Sequence, residues 1–500
     1  MRERLQLILK FLVLVFFLSV IVLIWKTLPI ISGYAAKVAC SGIFVAGRQQ
    51  DRVLRDDLAS FPANLASCSV NYQDSSVTAS VFGLGRRKAV YRWGLGATLV
   101  NGMTEDALRE EHVMRPVSPA VNPDTIDWPR GDRLRLMQWS STRTSGGIAT
   151  SADAAPSGNA GTSADAGASG AATDVGRDVA LRADDSGKGS PELDTLKLRT
   201  AIARAFGEDG ATATGTRAVV VVWHGKLVAE RYADGFDRHT RLAGWSMTKG
   251  ITNALAGILV GQGKLNTGTP APVAAWAGDD RKLITVADLL HMNSGLRWWE
   301  FYGGPSDATD MLFKEANMGE YAANSPLTHS PGQVFNYSSG TANILSMILR
   351  KAIGEDYYYR FPYEQLFDKI GMYGAVLEPD ASGTFVGSSY CYATARDWAR
   401  FGLLYLHDGV WNGQRILPGG WVKWTTTGTS YGALWWLNKE EGGHRRHPQL
   451  PADCFACEGY EGQYVWVVPG SDLVVVRMAM EHGRRLDPDV FLPEIIDALR

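Results

Sequence analysis

A serine and a lysine three residues apart open an apolar-periodic run in "LAGWSMTKGITNALAGILVGQG", residues 242–263. In a helix, Ser246 and Lys249 share one face near the N-terminus, one turn apart. A serine hydroxyl becomes a nucleophile when a neighbouring base takes its proton. An amine is such a base once desolvation or nearby positive charge lowers its pKa. The unpaired backbone N–H groups of a helix start supply that potential and favour an oxyanion close by. The pattern spells acyl transfer through Ser246. Read alone, the spacing is a weak signal, since serine and lysine are common, and a capping serine beside a solvated lysine is the simpler reading.

Two further stretches add chemistry. "SPGQVFNYSSG" (330–340) places Tyr337 after a Pro-Gly turn and before a helical pattern, and "ACEGYEGQYVWVV" (456–468) is a glycine-rich entry to a strand. A phenol shuttles a proton to a leaving group when nearby cations lower its pKa from about 10. Lys249 would keep Tyr337 or the Ser246 hydroxyl deprotonated. The backbone N–H groups of Ser246 and Tyr460 would form an oxyanion hole, with Gly459 allowing close approach to the strand edge. Trp245, Ser339 and Gly459 are read as lining the substrate cleft. Each stretch has a bland reading too: an aromatic at a loop–helix junction for Tyr337, a bulge for the glycines.

The elements that must bring these stretches together follow from the pattern. Residues 191–500 alternate helical and strand signals. "LDTLKLRTAIARAFGE" reads as an amphipathic helix, and "TRAVVVVWHGKLVAERYADGF" as a hairpin around a His-Gly turn. "ITVADLLHMNSGL" is a capped helix, and "TARDWARFGLLYLHDG" another with Asp397 near its start. "GQYVWVVPGSDLVVVRMAM" gives two strands, and "DVFLPEIIDALR" a closing helix. Strands at both ends with helices between predict an α+β fold: one antiparallel sheet from the two ends and a helical lobe from the middle.

Ahead of this region lie three others. Residues 1–36 open with Arg2, Arg4 and Lys10 and an apolar run from Phe11 to Trp25, which predicts a membrane anchor with a cytoplasmic N-terminus. A cleaved signal peptide ending near "GYAAK" is the rival reading. Residues 37–140 read as a small β-rich region. Residues 141–190 hold few large apolar residues and read as a disordered linker.

The remainder of the catalytic region would then face the periplasm from the inner membrane. Five cysteines fit an oxidising compartment, with Cys40 and Cys68 placed to pair. Cys454 and Cys457 are spaced Cys-x-x-Cys, but no second pair or Cys/His cluster completes a zinc site, so no metal is expected. No cofactor is expected either. A formal net charge of −2 gives no reason to expect a nucleic-acid partner.

Taken together, "GWSMTKG", "LLHMNSGL", "PGQVFNYSSGTANILS" and "GYEGQYVWVVPGSDLVVVR" resemble the serine β-lactamase-related family. That family includes class C β-lactamases, D,D-peptidases, family VIII esterases and 6-aminohexanoate-dimer hydrolase. The likeness covers about 197–500. It implies a β-lactamase/transpeptidase-like fold with the active site between sheet and helical domains. It also implies Ser246 as nucleophile with Lys249 and Tyr337 as the acid/base pair. Two motifs depart from the class C pattern: Tyr337-Ser338-Ser339 lacks its asparagine, and Cys457-Glu458-Gly459 replaces Lys-Thr-Gly. The cation that would bind a β-lactam carboxylate is missing at Cys457. The motifs look more like the 6-aminohexanoate-dimer hydrolase and esterase branch, and the implied substrate is a small amide, ester or short peptide. A cell-wall D,D-peptidase and a non-catalytic penicillin-binding sensor are the competing readings.

Overall fold

The apolar run at the N-terminus is the first half of one long helix, α1 (Arg2–Cys40). The computed structural model describes residues 2–110, 121–134, 180–181, 193–208 and 211–499. Leu9, Phe11, Leu14, Phe16 and Trp25 are exposed on α1, whereas its second half is buried from Leu28 onward. The stretch Ile24–Val45 is long and apolar enough to cross a membrane, yet 78% of its most apolar window is buried inside the protein itself. The helix therefore does not end at residue 36 as a separate segment. It runs without a break into the core.

α1 packs on a four-stranded antiparallel meander of β1 (Ala66–Asn71), β2 (Ser76–Val81), β3 (Leu84–Arg92) and β4 (Gly96–Leu99). In β1, half-buried Ala66, Cys68 and Val70 alternate with exposed Ser67, Ser69 and Asn71, as one covered face requires. The expected Cys40–Cys68 bridge is not formed, and all five cysteines are free. The cause is register. Cys40 is buried beside the Val77 backbone of β2, and Val77 pairs with Val70, while Cys68 pairs with Ala79 two positions along.

A buried ion pair fixes α1 to the rest of the chain. Lys37 donates to Glu378 and, at 3.0 Å, to Ser41 Oγ, and its ammonium stands 4.1 Å from the Tyr390 ring centre. Glu378 also accepts from the Ala97 backbone N–H of β4 at 2.7 Å. Both partners are almost fully buried, so removing one strands the other. Glu378→Gln is expected to cost about 3–5 kcal/mol, and Lys37→Met with Glu378→Leu much less. Denaturant unfolding of the three proteins checks this; equal midpoints for the wild type and Glu378→Gln would mean that the pair does not anchor α1.

The C-terminal region is built on a seven-stranded sheet. Its strands are β5 (Ala180–Leu181), β6 (Thr216–Trp223), β7 (Lys226–Tyr232), β8 (Trp436–Leu437), β9 (Phe455–Gly459), β10 (Gln463–Val468) and β11 (Leu473–Ala479). They lie in the order β8-β9-β10-β11-β6-β7-β5. Strands from the two ends meet at β11 and β6, where Val475 pairs with Val221. The stretch read as a linker, 141–190, lies outside the described residues except for β5, which pairs at the sheet edge with Glu230 and Ala229 of β7.

The valine runs of β6 and β11 are buried throughout because both faces are covered. Helices α2 (Thr195–Ala205) and α7 (Pro488–Asp497) cover one face. Helix α6 (Ala395–Leu406) covers the other, beneath a lobe containing α3 (Thr248–Gly261), α4 (Asp307–Lys314) and α5 (Ser339–Ile353). Asp397, read near a helix start, closes a capping box with Thr394.

Candidate active site

Ser246 sits at a sharp entry to α3. Strand residues Leu242–Ala243 end at Gly244, and Trp245 then takes φ +47°, a left-handed conformation costing about 1–3 kcal/mol for a bulky side chain. The turn puts Ser246 on the wall of an open cavity while Lys249, one turn on, is buried. The expected spacing on one helix face is met: Lys249 Nζ lies 2.9 Å from Ser246 Oγ.

The other partners of Lys249 decide what it can do. Its Nζ donates to Ser339 Oγ at 3.0 Å and to the Ser388 carbonyl at 3.1 Å. The carbonyl can only accept. Ser339 Oγ is committed as a donor to Glu300 Oε1 at 2.5 Å, so it too must accept from the amine. Two of the three Nζ directions are therefore fixed as donors. A neutral Lys249 would turn its lone pair toward Ser246. Burial lowers the Lys249 pKa to about 8, with the nearby Glu300 opposing the shift.

Tyr337 completes the cluster. Its side chain hydrogen-bonds to Ser246, and the Lys249 ammonium stands 4.8 Å from its ring centre. Trp436 stacks on the ring at 5.4 Å and Tyr431 meets it edge-on at 5.9 Å, which hold the phenol in place. The expectation that cations lower its pKa is reversed. Burial pushes the phenol up, and Glu300 adds to the rise. Tyr337 stays protonated and is suited to donate rather than to abstract.

Of the residues read as cleft-lining, Trp245 does border the cavity with Ser246, but Ser339 does not face it. Ser339 is fully buried and joins Lys249 to Glu300, because α5 begins there and its backbone N–H also donates to Glu300 Oε2 at 2.9 Å. Gly459 ends β9 against the nucleophile turn. A Cβ there would stand 2.2 Å from the Gly244 carbonyl oxygen, so a larger residue would push the strand away. Tyr460 follows, its ring 5.9 Å from that of Trp245. Cys457 occupies the position where a cation was missed. Its thiol is buried facing the Gly250 backbone N–H, and burial pushes its pKa up. Among the described residues, Asp124, Asp132 and His239 come close enough together to suggest a metal, and they lie partly exposed, with Asp132 bound to Arg400 at 2.6 Å.

The sequence reading missed Glu300. Its carboxylate accepts from Trp298 Nε1 at 2.5 Å and Tyr302 OH at 2.6 Å as well as from Ser339. The signal available was an acidic residue inside the aromatic run "RWWEFY", which has no helical or strand period. It also missed that Tyr34 of α1 stacks on Trp245 at 6.1 Å.

A family model described as Beta-lactamase matches residues 200–489. A 6-aminohexanoate-dimer hydrolase of Paenarthrobacter ureafaciens is 25% identical over 299 residues, covering 53% of this chain and 73% of its own. Among solved structures, a family VIII carboxylesterase shares 17% identity at a TM-score of 0.47, covering 62% of this chain and 98% of its own. A penicillin-binding protein homolog from Caulobacter crescentus gives the same identity, score and coverage.

Proposed function

The chain belongs to the β-lactamase family, and from that premise we propose that it is a serine hydrolase cleaving a small amide or ester through an acyl-enzyme on Ser246. The observation that carries this reading is the set of three partners around Lys249 Nζ, which leaves Ser246 as the one direction open to a lone pair. Neutral Lys249 takes the proton as Ser246 Oγ bonds to the substrate carbonyl carbon. The backbone N–H groups of Ser246 and Tyr460 are assigned to the resulting oxyanion.

The C–N or C–O bond then breaks. The leaving group receives a proton from the Tyr337 phenol, and the Lys249 ammonium restores it. Water attacks the acyl carbon in the second half, its proton returns to Ser246 Oγ through the same pair, and the carboxylic acid leaves. The buried Cys457 thiol at the position of the family's cation supports an amide or ester over a β-lactam. The aminohexanoate-cleaving relative supports a linear amide among these. The exposed apolar residues Leu9, Phe11, Leu14, Phe16 and Trp25 of α1, with Arg2, Arg4 and Lys10 in the sequence, support membrane attachment with the catalytic region outside the cytoplasm.

A panel of p-nitrophenyl esters, aminohexanoate oligomers, nitrocefin and a D-Ala-D-Ala peptide tests the reading. Turnover of esters or aminohexanoate amides well above that of nitrocefin is expected, and a nitrocefin-selective enzyme would overturn it. The pH profile is a second check. The base must be neutral, so kcat/KM should rise with pH and level off above about 8, the value to which burial lowers Lys249. A plateau already complete by pH 6 would assign the base to another group.

A further inference from the structure

The cavity beside Ser246 has a wall that does not come from the hydrolase region. It is bordered by Ile30, Ile31 and Tyr34 of α1 and by Phe61 and Ala63 of the loop before β1, facing Trp245, Ser246 and Phe313. We propose that this cavity holds the alkyl chain of an ester or amide substrate, and that α1 with the loop 57–63 sets the preference for that chain. The proposal rests on the serine-hydrolase reading and adds the substrate class to it.

Three observations carry it. The nucleophile and the apolar wall share one cavity, so a group attached to the scissile carbonyl must enter it. The wall is fastened in place. Asp57 is paired with Arg48 at 2.5 Å and with Arg217 of β6; Ser60 hydrogen-bonds to His482, whose Nε2 lies 2.8 Å from the Asp56 carbonyl. On the helix side, a Cβ at Gly33 would stand 2.8 Å from the Phe313 carbonyl oxygen, so glycine lets α1 lie directly against α4. Finally, the cavity is open, with Phe61 at its rim beside the polar Ser60, Glu461 and His482. Phe61 is 77% exposed, and beyond Thr27 the helix α1 presents exposed Ile24 and Trp25. A chain longer than the cavity would leave along that surface.

The test uses the full chain in detergent with p-nitrophenyl acetate, butyrate and octanoate. Each methylene transferred from water into an apolar site favours binding on the order of fourfold. Part of that gain is expected in kcat/KM, giving an octanoate-to-acetate ratio of about tenfold or more. Ile31→Ala removes wall from inside, and Phe61→Ser removes it from an exposed position where the fold is not at risk. Both should lower the ratio at least about threefold. Because the ratio is taken within one preparation, loss of active protein does not alter it.

A wild-type ratio of one or less, with Ser246 still labelled by a fluorophosphonate, overturns the chain pocket and leaves the hydrolase reading standing. An unchanged ratio in both variants also overturns it. Absence of both labelling and ester turnover overturns the hydrolase reading and the pocket together. A palmitoyl ester presented in phosphatidylcholine vesicles separates the sources of the chain. Turnover there upholds the pocket with a bilayer lipid as substrate, and turnover of dissolved octanoate alone upholds it with a free fatty ester.

Discussion

Ser246→Ala is expected to lower turnover of the best substrate on the order of 10⁴-fold or more and to remove fluorophosphonate labelling. The hydroxyl is the atom that bonds to the carbonyl carbon, and the other two partners of the Lys249 amine, Ser339 Oγ and the Ser388 carbonyl, have no proton to give it in place of Ser246. The protein should otherwise be intact, since the side chain borders an open cavity and alanine leaves no buried gap. Labelling that persists in Ser246→Ala at the wild-type rate would place the nucleophile elsewhere. Of the nearby hydroxyls, Ser389 also borders the cavity and would be the next to examine.

The second large effect is expected at Lys249, and it pairs a loss with a gain. Lys249→Met keeps the length and volume of the side chain but removes the base, so turnover should fall about 10³–10⁴-fold. The Ser246→Ala and Lys249→Met double variant should be no slower than Ser246→Ala alone, because groups acting as one unit are not additive. Stability should move the other way or not at all. The lysine amine is fully buried, and burial is the first cause of its lowered pKa, so the folded state carries a desolvation cost that methionine removes. A melting temperature that falls by many degrees would mean that the bonds to Ser339 and Ser388 stabilise the fold more than the burial destabilises it. Turnover within about tenfold of wild type would remove Lys249 from the mechanism.

What could be read from the sequence was local. Ser246 and Lys249 lie one helical turn apart, so periodicity alone sets their geometry, and strand β10 was visible from its valines and the glycines before it. Tyr337 was found because it stands between a Pro-Gly turn and a helix. What escaped was long-range. Glu300 reaches the cluster only because its loop folds back onto the start of α5, and nothing in "RWWEFY" shows where that loop goes. Ser339 looked like a cleft residue from its place after Tyr337, but the helix that begins there turns its hydroxyl inward to Lys249.

Charge was misread for a related reason. The direction of the Tyr337 shift depends on how deeply the ring is enclosed and on Glu300, neither of which has a local signature. Cys40 and Cys68 looked pairable from compartment and proximity in the chain, and only the β1–β2 register separates them.

The unbroken α1 has a mechanical meaning. A catalytic region joined to an anchor by a flexible linker sweeps a hemisphere and can reach targets at many heights. Here the same helix that carries the exposed apolar residues also carries Tyr34 into contact with Trp245, and the Lys37–Glu378 pair prevents it from swinging. At about 1.5 Å per residue, Trp25 and Tyr34 are separated by roughly 14 Å along the helix axis. With α1 inserted as proposed, the nucleophile is carried on a stalk of fixed height. Its search becomes two-dimensional, confined to a thin layer at the membrane surface, and the stalk length sets which molecules in that layer come within reach.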